Sequence, residues 1–358
     1  MLFEEPILQW LLQNGGFMDS QVFILNEKRN VTLTAYLQDD SQEFWRAKKR
    51  PAVVIFPGGA YAYCSDREAD PVAQEYLRAG YHAFVLRYSV GWENAVWPNP
   101  LEDYDQAMEL IAAHAKEWHL IPEKIAVIGF SAGGHLAACA ATMAKHRPAA
   151  AILAYPVILE GLAAICAKGA PGADKAVDSQ TCPCFIAATG TDTTVSAMNS
   201  LRFVEALYEN GISAELHLYA FGPHGFSTAR TSIADPAELC SRTLHWVEDS
   251  ISWLEDVFGA FTSGEMSSPR CPGRVRKDKD PYLSVDCLLA TIAENQIAVE
   301  RLNQLILVEE TTQKWIAEQK ENLLTSEMTL RSALQFLNVP GEVIRKADEI
   351  LSEIPNRK

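Results

Sequence analysis

The sequence predicts an α/β fold, with a mostly parallel central sheet, helices on both faces and a C-terminal helical extension. Three observations carry that reading. Ala52 to Phe56 is an unbroken apolar run of the kind that a parallel sheet buries on both faces. Strand-like and helix-like segments then alternate as far as Phe258, which favours parallel strands joined by crossing helices. Around Phe261 this alternation ends, and the later apolar pattern is helical.

Taken in order, Val22 to Leu25 and Val31 to Leu37 read as an antiparallel hairpin ahead of the Ala52–Phe56 strand. A helix over 70–79 stops at Gly80, a residue suited to a helix end, and a strand over 82–88 follows. The order then repeats as helix 101–118, strand 125–130, helix 132–145 and strand 149–155. An irregular stretch rich in Gly, Ala and Asp covers 160–181. Strand 185–188, helix 197–210, strand 214–219 and helix 236–258 complete this region.

These boundaries give a domain over 1–258, a linker over 259–281 and a helical extension over 282–358. The linker carries Gly264, Pro269, Pro272 and Gly273 among Arg270, Arg274, Arg276, Lys277 and Lys279, and reads as a solvated hinge. A long helix is expected from Ser284 to about Leu324. Val285, Ile292, Val299 and Ile306 recur every seven residues, with Leu288, Asn295 and Leu302 between them. That spacing suits either a two-stranded coiled coil, and so a homodimer, or an amphipathic helix packed on the domain that precedes it. A helical hairpin over 327–337 and 341–354 closes the sequence.

The chain has 358 residues, 48% hydrophobic and 22% charged, enough to bury a substantial core. Its net charge of -15 gives no electrostatic reason to bind nucleic acid or an anionic membrane. No run of roughly 20 apolar residues is present, and acidic residues stand near the N-terminus where a secretory signal carries Lys or Arg. A cytoplasmic protein is expected. The eight cysteines lack zinc-ligand spacing and suit a reducing compartment, with Cys182 and Cys184 the only close pair, so neither metal nor cofactor is called for.

The chemistry concentrates at Ile125 to Gly134, where Gly129, Ser131 and Gly133 form a G-x-S-x-G pattern between a strand and a helix. Such an elbow holds a serine hydroxyl clear of the backbone and needs small flanking residues. A serine hydroxyl is a poor nucleophile at neutral pH. It needs a histidine base, itself oriented by an acid, in the order Ser, acid, His on loops after strands. Asp192 follows the strand ending at Ala188, and His224 follows the one ending at Tyr219 on a glycine-flanked loop. Asp174 and Asp178 precede a strand and fit less well. His135 lies one turn beyond Ser131 and is expected to face the interior, while His82, His114, His119, His146, His217 and His245 lie in or beside regular elements. The turn Pro57 to Tyr61 and the N–H of Ala132 can together supply donors to an oxyanion.

From Gln21 to Phe258 the chain resembles an α/β-hydrolase, on four motifs in order: PGGAY, SDREADPVA from Ser65, GFSAGGHLA and GPHGFS. The resemblance is to esterases that include bacterial feruloyl and acetyl esterases, acetyl xylan esterases and hormone-sensitive-lipase-like enzymes. It implies Ser131 as nucleophile, His224 as base, Asp192 as its partner, and Gly59, Ala60 and Ala132 as oxyanion donors. Pro57 stands where the lipase type has histidine, and Ala60 where a third glycine is common. A serine esterase for short acyl esters, plausibly acetyl groups on carbohydrates, is expected, with Tyr61, Trp92 and Trp97 as candidate substrate residues. Amide cleavage by the same triad, or an oligomeric scaffold with a vestigial site, remain alternatives.

Overall fold

The computed structural model describes residues 19–38, 42–305 and 310–356. The chain divides into two units, Met1–Leu207 with Ser213–Gly273, and Tyr208–Ile212 with Arg274–Lys358. The N-terminal residues 1–18 read above for a leader, and the expected seam position Ile306, lie outside the described residues.

The first unit is built on an eight-stranded sheet: β1 (Asp19–Asn26), β2 (Val31–Leu37), β3 (Arg50–Phe56), β4 (His82–Arg87), β5 (Leu120–Phe130), β6 (Ala150–Ala154), β7 (Cys184–Thr189) and β8 (Ala214–Tyr219). Their order is β1-β2-β4-β3-β5-β6-β7-β8. The β1–β2 and β2–β4 pairs are antiparallel and the remaining pairs are parallel, so the hairpin forms one edge, as expected. Every residue of β3, β6 and β7 is buried, which is why those strands read as continuous apolar runs.

Helices cover both faces. Val53, Ile55, Ala126 and Ile128 share a core with α1 (Asp70–Arg78) through Val72 and Tyr76, and with α6 (Trp246–Phe258) through Trp246, Trp253 and Leu254. Toward the opposite face, Phe56 meets Tyr104 of α2 (Asn99–His114) edge to face at 5.5 Å. The helix α3 (Ala132–Met143) is almost wholly buried, so its Ala-rich composition reflects close packing rather than exposure. Two further helices, α4 (Glu160–Cys166) and α5 (Met198–Glu209), complete this unit. The expected helix over 236–258 begins only at Trp246. Asp235 instead caps a short 3-10 turn by accepting from Ala237 N–H at 2.9 Å.

The strands' carboxyl ends coincide. Phe56 is level with Gly129, Phe130 with Ala154, Ala154 with Ala187 and Thr189 with Tyr219. Loops leaving β3, β5, β6, β7 and β8 therefore meet along one sheet edge, the place where ligands bind in such sheets.

In the second unit the single long helix expected from Ser284 starts only at Leu289 and is interrupted at Asn295 and Gln319, its described parts being α7 (Leu289–Glu294), α8 (Gln296–Leu305), α9 (Glu310–Glu318) and α10 (Lys320–Thr325). Asn295 makes the first break. Its backbone is extended, and its side chain accepts from Ala298 N–H at 3.1 Å, the role of a helix N-cap. Val285, Ile292 and Leu302 are buried with Leu330 and Leu334 of α11 (Leu330–Phe336) and Ile344, Ala347 and Leu351 of α12 (Gly341–Leu351). Residues that read as a seam thus lie in the core of their own helical unit. Arg276, expected in a solvated hinge, is instead mostly buried and paired with Asp278 at 2.9 Å.

Candidate active site

Ser131 occupies the sharp turn between β5 and α3 with φ 52° and ψ -115°, a conformation that side chains seldom adopt. Its N–H donates to the Ala154 carbonyl at 3.1 Å, and its carbonyl accepts from His135 and Val157 N–H at 3.1 and 3.0 Å. These bonds hold the turn from both sides. A Cβ at Gly133 would overlap the Phe56 and Pro57 carbonyls, so the glycine lets α3 start directly against β3.

The loops after β7 and β8 bring Asp192 and His224 to this turn. His224 Nε2 lies 2.9 Å from Ser131 Oγ, and His224 Nδ1 lies 2.6 Å from Asp192 Oδ2. The other oxygen, Asp192 Oδ1, accepts from Thr194 and Val195 N–H at 2.8 and 2.9 Å, which fixes the carboxylate's orientation. The Asp192 side chain is 1% exposed. Burial works to raise its pKa, but the hydrogen bonds from His224, Val195 and Thr194 outweigh it and hold the carboxyl below its ordinary value. A carboxylate so placed accepts from Nδ1–H and leaves Nε2 as the acceptor for the serine hydroxyl.

The turn after β3 lies beside the same hydroxyl. Gly59 has φ 123°, where a side chain would be strained, and a Cβ there would overlap the Tyr63 carbonyl. Ala60 adopts φ 53°, so alanine takes the left-handed conformation at the position where glycine is common. Among the described residues, the N–H groups of Gly59, Ala60 and Ala132 have no acceptor. Pro57 leaves its carbonyl to accept from the Tyr88 hydroxyl at 2.6 Å.

The three candidate substrate residues separate. Tyr61 is buried, and its hydroxyl bonds to His135 Nδ1 at 2.9 Å, so it supports the turn from within. Trp97 is half-buried with its ring 5.5 Å from that of His135. Trp92 is 75% exposed, and Gly91 beside it donates to the Tyr61 carbonyl at 2.7 Å, which places its loop against the turn after β3. His135 is interior, as expected. Its Nε2 faces the Pro171 carbonyl at 2.8 Å, and burial pushes its pKa down to about 4 against a weaker raising effect of that bond. Asp178 pairs with Arg147 at 2.5 Å, away from the triad histidine.

Three residues not singled out from the sequence complete the site. Tyr155, in the loop after β6, sets its ring edge-on to His224 with centroids 4.9 Å apart. Its hydroxyl joins Glu68 and Ser227, both buried. Glu68 lies within the SDREADPVA motif, but beside Asp66, Arg67 and Asp70 it looks like part of a solvated turn, so its individual role gave no signal. No group of three or more His, Cys, Asp or Glu able to hold a metal occurs among the described residues.

The BD-FAE family model matches residues 43–157. Endo-1,4-beta-xylanase B of Butyrivibrio fibrisolvens is 31% identical over 259 residues, covering 63% of this chain and 38% of that protein. The acetylxylan esterase of Xylanibacter ruminicola is 29% identical over 197 residues, covering 49% of this chain and 41% of that protein. The chain thus spans about two fifths of the length of these curated relatives. Among solved structures, MGS-M1, an alpha/beta hydrolase enzyme from a Medee basin deep-sea metagenome library, is 41% identical with a TM-score of 0.62. That match covers 68% of this chain and 98% of that one.

Proposed function

The chain belongs to the α/β-hydrolase superfamily, within its esterase group, and from that premise we propose a serine carboxylic ester hydrolase for short acyl esters. Acetyl esters of carbohydrates are the substrate class we assign. The observation that carries the reading is the continuous hydrogen-bonded line from Asp192 through His224 to Ser131.

In the proposed reaction, Ser131 Oγ bonds to the acyl carbon while its proton passes to His224 Nε2. The carbonyl electron pair moves onto oxygen, which the N–H groups of Gly59, Ala60 and Ala132 receive. Collapse of the tetrahedral intermediate breaks the bond to the alcohol, which leaves with the proton from His224. A water then gives its proton to His224 and attacks the acyl-enzyme, and the acid departs as Ser131 regains its hydrogen. Asp192 stabilises the imidazolium in both halves. No cofactor enters.

The short acyl limit is supported by the acetylxylan esterase relative. The carbohydrate assignment is supported by the exposed indole of Trp92, a surface on which a sugar can stack, and by the acetylxylan esterase relative. All eight cysteines are free, which supports a cytoplasmic setting, and no helix among the described residues is long and apolar enough to cross a membrane.

Comparing p-nitrophenyl acetate with p-nitrophenyl decanoate tests the acyl limit. The acetate is expected to have about 5- to 150-fold higher kcat/KM, because overpacking a site sized for an acetyl group is unfavourable by about 1–3 kcal/mol. Acetate release from an acetylated xylo-oligosaccharide is expected in the same assay series. A preference for decanoate, or no acetate released, would overturn the substrate assignment.

A further inference from the structure

Glu68 is a buried carboxylate that the reaction above does not use, and its two oxygens bond to different loops of the site. Gly58 N–H donates to Oε2 at 2.8 Å, within the turn that carries Gly59 and Ala60. The Tyr155 hydroxyl donates to Oε1 at 2.8 Å and accepts from Ser227 N–H at 2.9 Å. Ser227 lies three residues after His224. Its hydroxyl donates to the Arg67 carbonyl at 2.5 Å, and its own carbonyl accepts from the Trp246 indole at 2.8 Å. The line Gly58, Glu68, Tyr155, Ser227 therefore runs from the oxyanion turn to the base-bearing loop through buried groups.

We infer that Glu68 is a positioning residue that fixes the oxyanion turn relative to the His224 loop, making the two halves of the site one rigid assembly. This rests on the serine hydrolase reading.

A second observation, independent of the hydrogen bonds, points the same way. Ala60, Tyr61, Ser131, Tyr155 and Ser227 all have φ between 39° and 57°, the left-handed region that non-glycine residues avoid. Strained backbone of this kind persists only where its surroundings over-determine it. Ala60, Tyr61, Tyr155 and Ser227 lie in the line that Glu68 joins or on a loop that it tethers, and Ser131 N–H donates to the carbonyl of Ala154, the neighbour of Tyr155. A buried carboxylate accepting two hydrogen bonds sets both distance and direction between its donors, which a neutral amide of the same shape cannot do. In Glu68→Gln one oxygen becomes an NH2 donor, and it would face either Gly58 N–H or the Tyr155 hydroxyl.

The effect belongs to the transition state, since only there are the oxyanion donors and the histidine used together. Glu68→Gln is expected to lower kcat on p-nitrophenyl acetate by about 10- to 100-fold with KM changed less than about threefold. A phenylboronic acid, which becomes tetrahedral when the Ser131 oxygen bonds to boron, reads the same geometry without turnover. Its Ki should rise by the factor by which kcat/KM falls. A partly misfolded sample would instead lose kcat and keep Ki. Tyr155→Phe, which removes one hydroxyl, is the second variant should Glu68→Gln not fold, and the same paired loss is expected.

Unchanged kcat/KM in both variants, or a loss of kcat per fluorophosphonate-titrated active site with unchanged Ki, would overturn the inference while leaving the triad intact. An inactive wild type would instead remove the serine hydrolase reading on which it stands.

Discussion

Ser131→Ala is expected to lose about a millionfold in kcat on p-nitrophenyl acetate, the scale found when a triad nucleophile is removed elsewhere. The substitution keeps the Cβ and therefore the packing of the turn, so thermal unfolding should move little. Asp192→Asn is expected to lose about 10⁴-fold, for a different reason. An Asn side chain can keep the oxygen that accepts from Thr194 and Val195 N–H, but its NH2 then faces His224 Nδ1. The imidazole must present Nδ1 as an acceptor and carry its proton on Nε2, opposite the serine hydroxyl it should deprotonate. Kinetics of the two purified variants at neutral pH decide the point. Equal activity in wild type and Ser131→Ala would remove the nucleophile, and an Asp192→Asn enzyme near wild-type rate would remove its orienting role.

Acidification from pH 6.5 toward 4 is expected to destabilise the first unit through two buried histidines. His82 and His135 are both held at about 4 from 6.5, in each case chiefly by burial. Each ring has one nitrogen as donor and one as acceptor. His82 bonds to the Trp118 carbonyl and accepts from Gln38 N–H at 2.8 and 3.2 Å, while His135 bonds to the Pro171 carbonyl and the Tyr61 hydroxyl. Between pH 6.5 and 4 the unfolded chain binds these two protons and the folded chain does not. Stability therefore falls as pH drops through that window, by about 3 kcal/mol for each histidine at about 1.4 kcal/mol per pH unit. Together that is about 6 kcal/mol, a large share of the about 5–15 kcal/mol that holds an ordinary domain folded. Urea unfolding at pH 7.5, 5.5 and 4.5 measures it. The midpoint should fall steadily, and His135→Gln should reduce the slope, whereas a midpoint constant from pH 7.5 to 4.5 would contradict the account.

The sheet was legible because β3, β6 and β7 are buried throughout, and uniform burial leaves an apolar run in the sequence. Ser131 and Asp192 were legible because each follows a strand whose last residues form such a run, whereas His224 follows the half-exposed β8 and was legible from its glycine-flanked loop. The structure brings these three side chains within hydrogen-bonding reach. Glu68 was not legible. Its neighbours are charged and exposed, and only the tertiary fold turns this one carboxyl inward toward Gly58 and Tyr155. The burial of Tyr61 was not legible for a related reason, since an aromatic residue in a loop can line a cleft or support one from beneath, and its hydroxyl is committed to His135. The heptad of the second unit left open what covers its apolar face. Apolar spacing of seven specifies which face is buried, not what buries it, and Val285, Ile292 and Leu302 are covered by residues 330–351 of the same chain. Asn295, which resembled a polar seam residue, ends one helix and caps the next.

The central claim is that folding makes Ser131 a nucleophile through His224 and Asp192. Mass spectrometry of the protein treated with a fluorophosphonate tests it most directly, because phosphorus bonds to the serine oxygen as fluoride leaves and the hydroxyl proton passes to the histidine. The account predicts one adduct per chain on the peptide containing Ser131, formed in the native protein but not after denaturation and not over the same time in His224→Ala. An unmodified Ser131 in the folded protein, or equal labelling before and after denaturation, would contradict it.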